Sequence, residues 1–297
     1  MSLRDFLLLC VICLAWGVNL PMTRLVVTDV PPLFYAFMRF FVIAVVLIPF
    51  LRPIPKDMGK VFAIAMCIGG GNFALLFLGL QASPASAAAI TGQLGLPFTT
   101  ILSLIFLGEK VRWRRGLGIA LAFVGVIVIA YDPSKIGLSV GLLYIVGAAF
   151  IGSVGGVMMK QMSPIPALNL QAWVGVLSVP PLLVATAVLE TNPLPGIESL
   201  GWGPFIFAVA FSALVVSVFG HGAYYNLLKK YDITLLAPLT LMTPVWAVVI
   251  GIVFLGEAAA PKLLIGGAIT LAGVAMIAVR PNAKVAPEAI APSSRSA

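Results

Sequence analysis

Stretches without Asp, Glu, Lys or Arg dominate the chain. They run over Phe6–Thr23, Val61–Gly108, Gly116–Tyr131, Ile136–Met159, Gln161–Leu189, Ser199–Leu228, Ile233–Gly256 and Leu263–Val279, and one more, Val30–Leu51, is broken only by Arg39. About 20 apolar residues in a helix cross the hydrocarbon core of a bilayer, so these runs predict membrane-spanning helices. Val61–Gly108 is too long for one crossing, and Gln81-Ala-Ser-Pro-Ala-Ser86 supplies a turn that divides it. The pattern therefore predicts an all-α, polytopic membrane protein with ten transmembrane helices. The first run leads directly into a second, which reads as a span rather than a cleavable signal peptide. The longest loop, Glu190–Glu198, is expected to be external and turn-like. The Ala/Pro/Ser-rich stretch 281–297 is expected to be a disordered cytoplasmic tail.

Composition agrees with a bilayer as solvent. Hydrophobic residues make up 61% of the chain and charged residues 9%, against roughly 25% charged in a soluble domain. Such a chain cannot solvate its own surface, which excludes a cytosolic enzyme. The net charge of +8 has a topological origin. With the N-terminus inside, Arg4, Arg52, Lys56, Lys60, Lys110, Arg112, Arg114, Arg115, Lys160, Lys229, Lys230, Arg280, Lys284 and Arg295 all fall in cytoplasmic segments. Only Arg24, Lys135 and Lys262 fall outside. That bias predicts a multi-pass inner-membrane protein with both termini cytoplasmic, and nucleic acid is not needed to explain the charge.

A repeat underlies the helix pattern. Phe106-Leu-Gly-Glu109 recurs as Phe254-Leu-Gly-Glu257 at an offset of 148, and at that offset Gly118 falls on Gly266, Gly125 on Gly273 and Ala130 on Ala278. Pro97 aligns with Pro244 one residue out of that register, and Gly71-Asn72 aligns with Gly220-His221. The expected units are two five-helix repeats, 1–135 and 136–280. Five is odd, so the second must cross the membrane inverted, the architecture of alternating-access carriers with a site near the midplane.

Polar groups inside the spans are few. Arg39 carries a charge that costs a few kcal/mol or more to insert. It could capture a substrate carboxylate or serve a structural role on helix-end carbonyls; the lack of an intramembrane acid favours the structural role. Glu109 and Glu257 are placed to cap the N-terminus of the helix that follows each. His221 is the only histidine; it could switch protonation or act as a neutral hydrogen-bonding group, and the second is preferred. Tyr224 lies one turn from it. Pro97 and Pro244 are expected to bend the fourth and ninth helices and to act in gating, with Gln93, Thr99, Thr100, Thr243 and Trp246 around the bends as a cavity wall. Asn19 and Asn72 complete the expected substrate-binding set. Gly69-Gly-Gly71 and Gly152-x-x-Gly155-Gly156 let helices approach closely. Cys10, Cys13 and Cys67 lie in apolar runs, against a disulfide framework or zinc site, and the residues call for no metal and no cofactor.

Trp16-Gly17-Val18-Asn19, Arg39-Phe40 and the two Gly-Glu turns together resemble the drug/metabolite transporter superfamily, in its ten-helix EamA-type branch, over residues 3–280. Within that branch the chain is similar to aromatic amino-acid exporters. The resemblance implies a small-molecule exporter of the inner membrane and a structural Arg39. The sixth helix departs from the pattern with Ile151-Gly-Ser-Val154. The expected function is a facilitative secondary carrier for amino acids, including aromatic or other apolar ones, or similar small metabolites. The alternative is an exporter of drugs or cationic compounds, which would want an embedded acid. An intramembrane enzyme lacks a nucleophile–base pair or metal cluster, ATP use lacks a Walker motif, and the inverted repeat speaks against a channel. The partners are a small amino acid-like substrate and the lipid bilayer; nothing in the sequence requires an oligomer, and a monomer suffices.

Overall fold

The computed structural model describes residues 1–108, 113–132, 137–163, 165–231 and 233–279. Glu109, the Lys110–Arg112 portion of the first basic loop, Lys135 and the tail 281–297 lie outside the described residues. Helices α1 (Leu3–Asp29), α2 (Pro32–Val46), α3 (Met58–Gln81), α4 (Ala85–Leu107), α5 (Trp113–Ala130), α6 (Val140–Lys160), α7 (Ala167–Leu189), α8 (Trp202–Lys230), α9 (Leu235–Leu255) and α10 (Pro261–Ala278) follow the expected order. All but α2 are long and apolar enough to cross a bilayer. Helix α2 is shorter than the apolar run Val30–Leu51 because Pro32 opens it and a 3₁₀ turn, Ile48–Phe50, replaces its last turn. A two-residue ladder, Tyr131–Asp132 against Gly137–Leu138, links α5 to α6.

The loop expected to be turn-like contains a short helix, Leu194–Leu200. Its first residue, Glu190, does more than turn. The Glu190 carboxylate accepts the Leu33 and Phe34 amides at 2.7 and 2.8 Å, capping the N-terminus of α2 from the far end of α7. The Thr186 hydroxyl donates to the same carboxylate at 2.7 Å. Glu257 also caps a helix, but not the one that follows it. Its carboxylate accepts the Ala85 and Ser86 amides at 2.6 and 2.9 Å, at the start of α4. Gly256, at φ +66°, reverses the chain after α9, and the Glu257 amide donates back to the Gly251 carbonyl. That reversal turns the carboxylate away from α10 and beside Gly251, where a Cβ would stand 2.6 Å from it. Gly108 ends α4 in the same left-handed conformation.

Three helix pairs run antiparallel. Ile43 packs on Gly175 while Phe50 meets Asn169, so α2 and α7 oppose. Glu257 at the end of α9 meets the start of α4. Helices α5 and α10 touch through glycines. A Cβ at Gly125 would stand 2.5 Å from the Gly266 oxygen and one at Gly266 2.6 Å from the Gly125 oxygen; Gly118 and Gly273 repeat this at 2.8 and 2.5 Å. Without a hydrophobic drive between helices in lipid, such backbone contact supplies the packing. Helices α1 with α9 and α4 with α6 form two further seams.

Gly125→Leu should drive the α5–α10 seam apart, an overpacking cost of about 1–3 kcal/mol. Thermal unfolding in detergent should fall by several degrees, while Gly116→Leu, whose Cβ meets nothing within 4 Å, should behave as wild type. Glu257→Ala should lower stability by about 1–2 kcal/mol through the lost α4 cap, with Glu257→Gln intermediate, measured the same way.

Candidate functional site

Helix α3 is not regular through the membrane. Met66–Gly70 forms a wider π turn in which Gly69 leaves helical geometry at φ −114°, ψ −108°. Helix α8 carries the same kind of widening over Phe211–His221. A π turn displaces backbone hydrogen bonds, and in lipid those groups must be met by protein. Ser178 of α7 meets the first: its hydroxyl accepts the Gly70 amide at 2.9 Å. Gly69 permits this, because a Cβ there would stand 2.5 Å from the same hydroxyl. Trp16 of α1 meets the second, its indole donating to the Val216 carbonyl at 3.2 Å. Ser217 donates to the Ser212 carbonyl at 2.9 Å.

Between these widened turns lies a cavity of about 380 Å³, inside the roughly 300–1,000 Å³ range of small-ligand sites. Arg39, Phe40 and Ile43 of α2 line it with Ala167, Leu170, Gln171 and Val174 of α7. Ile68, Asn72 and Phe73 of α3, Gly152 and Met159 of α6, and Ser217, His221 and Tyr225 of α8 complete the wall. The lining extends to Met159 and Ala167, at the ends of α6 and α7 beside Lys160. Towards the α2 N-terminus the space is filled by rings in chain contact. Phe73 meets Phe77 at 5.7 Å, Phe77 meets Tyr35 at 5.3 Å, and Tyr35 meets Phe205 at 6.4 Å between centroids. Tyr35 is fully buried and donates to the Ala208 carbonyl at 3.1 Å.

Arg39 is 1% exposed. Its Nη2 donates to the Ser217 hydroxyl at 2.8 Å, and its guanidinium carbon sits 4.1 Å over the Phe73 ring. Its Nε and Nη1 have no partner. Asn72 donates to the Ala148 carbonyl of α6 at 2.6 Å, across Gly152, where a Cβ would stand 2.7 Å from the amide nitrogen. His221, at the position aligned with Asn72, packs on Trp16 at 5.3 Å. The Gln171 amide oxygen is buried without a partner.

Of the residues expected at the site, Asn72 and His221 therefore meet at the cavity. The others lie elsewhere. Tyr224 packs edge-on against Trp16 at 5.5 Å, on the α1 side of α8, while its neighbour Tyr225 lines the cavity. Asn19 is buried in α1, its side-chain oxygen unpartnered. Thr243 and Trp246 face α1: a Cβ at Gly17 would stand 2.5 Å from the Trp246 Cβ and 3.0 Å from the Thr243 carbonyl. Thr100 returns its hydroxyl to the Leu96 carbonyl within its own helix at 2.9 Å. Gln93 and Thr99 are half-buried on α4, away from the cavity lining.

The prolines do not mark the breaks themselves. Helix α4 loosens at the 3₁₀ turn Gly92–Leu94, and α9 at Thr240–Leu241. Pro97 and Pro244 sit in the first turn after each break, where a missing amide is tolerated. The Thr240 carbonyl, which Pro244 cannot serve, accepts the Thr243 amide at 2.9 Å. Gln171, Ser217 and Tyr225 carried no sequence signal beyond being polar residues inside a span. Arg39 did carry one, but its location on a cavity required the fold.

The EamA-like transporter family profile matches residues 4–131 and 139–279. A relative from Salmonella typhimurium named "Probable amino-acid metabolite efflux pump" is 29% identical over 287 residues, covering 92% of this chain and 94% of the relative. An Escherichia coli K12 protein of the same name is 28% identical over 283 residues, covering 92% and 94%. A crystal structure superposes with a TM-score of 0.63 over 93% of this chain and 96% of that one, at 19% identity, and shares the fold.

Ser178→Ala would leave the Gly70 amide buried and unpaired, a cost of about 1–3 kcal/mol. Hydrogen exchange at Gly70 and Gly71 should accelerate by one to two orders of magnitude, on the order of that penalty, while amides in α5 and α10 keep their protection.

Proposed function

The chain belongs to the EamA-like transporter family and is a multi-pass membrane transporter rather than an enzyme; from that premise we infer that it is a secondary carrier exporting amino acids, including large apolar ones, or metabolites of similar size. The observation that carries this reading is the cavity between α2, α3, α6, α7 and α8. It joins apolar surface from Phe40, Ile43, Ile68 and Val174 to a small set of hydrogen-bonding groups, Asn72, Gln171, Ser217, His221 and Tyr225. Such a wall buries an apolar side chain while meeting the polar end of a zwitterion. Specificity across apolar side chains is then broad, since one methylene is worth only about 1–3 kcal/mol. The efflux function named for the two relatives supports the direction.

Alternating access follows from the architecture we assign, an inverted pair of five-helix repeats over 1–135 and 136–280. Helices α2, α4 and α5 each run antiparallel to the helix five places later in the chain. The Gly118–Gly273 and Gly125–Gly266 contacts exchange with each other under the offset of 148. Cavity-lining Asn72 and His221 are aligned partners in the two repeats. With basic loops inside, the end lined by Met159 and Ala167 is cytoplasmic and the ring-filled end external. Its termini are then cytoplasmic and its membrane is the inner one. No carboxylate among the described residues lines the cavity, so flux follows the substrate gradient without a proton relay through an acid.

Two measurements test this. Labelled phenylalanine or methionine should enter proteoliposomes holding only this protein, at equal initial rates with and without an imposed pH gradient. Absence of uptake of any amino acid alongside transport of cationic dyes would give the case to the drug-exporter alternative; strict gradient dependence would reject the uncoupled mechanism. For orientation, Cys10, Cys13 and Cys67 are replaced and single cysteines placed at Arg114 or Ala259. An impermeant thiol reagent applied to cells should label Ala259→Cys and spare Arg114→Cys, and equal labelling would refute the inverted arrangement.

A further inference from the structure

We propose that Arg39 is the carboxylate anchor of the cavity, so that the carrier requires a free carboxylate on its substrate and rejects the corresponding amines and amides. This rests on the reading of the cavity as the transport site. The resemblance and the lack of an intramembrane acid pointed to a structural Arg39. A structural arginine in a membrane protein is paired or spends its donors on helix-end carbonyls. Arg39 does neither. One nitrogen, Nη2, reaches the Ser217 hydroxyl, and the face of the guanidinium rests on Phe73. Neither partner is an anion. Each edge of the guanidinium presents Nη2 beside one nitrogen with no partner at all, Nε on one edge and Nη1 on the other. Arg39 is buried, lines the cavity and shares it with no Asp or Glu among the described residues.

A buried cation without a counter-charge is strongly destabilised, and completing the pair relieves that penalty. A carboxylate fits because it accepts two parallel N–H bonds from the one guanidinium edge whose Nη2 hydrogen is not given to Ser217. Ser217 fixes the side chain by one bond and leaves the rest of the fork without a partner, and the Phe73 ring holds the plane. The ammonium of an α-amino acid meets neutral acceptors elsewhere in the cavity. Gln171 offers an amide oxygen with no partner. Asn72, whose nitrogen is committed to the Ala148 carbonyl, has its amide oxygen left to accept. The same uncompensated positive charge repels a substrate that carries only a cation, which separates this site from one for cationic drugs.

The test pairs a binding readout with a transport readout. Thermal unfolding of the detergent-solubilised full chain is followed with phenylalanine, phenylalaninamide, 3-phenylpropionate and phenethylamine. Uptake of labelled phenylalanine into proteoliposomes is competed with the same compounds. The two acids should stabilise the wild type and compete about tenfold or more better than the amide and the amine, the factor expected for a charge-assisted hydrogen-bond pair. In Arg39→Gln that preference should collapse to about twofold or less, and Arg39→Lys, a charge without the fork, should keep only part of it. Equal stabilisation of the wild type by acid and amide overturns the anchor, and that arm needs no variant to fold. A preference undiminished in folded Arg39→Gln also overturns it. If 3-phenylpropionate stabilises the wild type through Arg39 but no amino acid is taken up, the anchor stands and the amino-acid export reading fails.

Discussion

Inside hydrocarbon every backbone donor and acceptor must be satisfied by the protein itself, and each failure costs several kcal/mol. This requirement organises the structure more than any single contact. Regular helix satisfies it locally, which is why nearly all of the described chain is helical. Where helix is abandoned, a side chain from elsewhere takes over. Ser178 serves the widened turn of α3 and Trp16 that of α8. Glu190 and Glu257 serve the exposed amides at the starts of α2 and α4. In every case the supporting residue is remote in sequence, so these repairs also fasten helices together.

The widened turns border the cavity. A π turn gives local slack, because its hydrogen bonds can shift by one residue without the helix being lost. Helices α3 and α8 both carry this slack, with Asn72 two residues past the first widened turn and His221 the last residue of the second. Rigid seams stand beside them: α5 against α10 through glycine backbones, and α2 against α7, fastened at one end by Glu190 and at the other by Asn169 and Trp173. A carrier needs this division, since movement confined to pliable segments against fixed ones rearranges a cavity without unfolding its walls.

Apolar run lengths and turn residues revealed the helix order, because hydrophobic thickness leaves few ways to read such runs. The four glycines Gly118, Gly125, Gly266 and Gly273 were equally legible, and they are the ones through which α5 and α10 touch. The site was less legible. Proline marks neither the break nor the cavity: Pro97 and Pro244 fall after breaks set by the preceding turns. The cavity instead follows the π turns, which depend on how α7 and α1 present Ser178 and Trp16. No local pattern in α3 or α8 reports that. The position of Glu257 after glycine indicates a cap, but the helix it serves is α4 rather than α10, because that choice depends on where Gly256 sends the chain. Glu190 gave no local sign of its partner, 157 residues away.

The charge on α2 has no counterpart in the helix five places later. Helix α7, its partner across the cavity, contains no Asp, Glu, Lys or Arg from Ala167 to Leu189. Two inverted repeats of identical chemistry would give inward-open and outward-open states of equal energy. In the structure the Arg39 guanidinium is almost wholly enclosed, with no carboxylate among the described residues of the cavity wall, and enclosing a cation is costly. An alternating carrier of the kind proposed would, when empty, favour whichever state hydrates Arg39 more. A substrate that neutralises the guanidinium lowers the penalty of passing through the enclosed state, and only a differential interaction of this kind can shift a conformational equilibrium. In the carrier proposed here, substrate charge and conformational exchange would be coupled through one residue, so selectivity for carboxylates would show as a faster exchange of the loaded carrier as well as tighter binding.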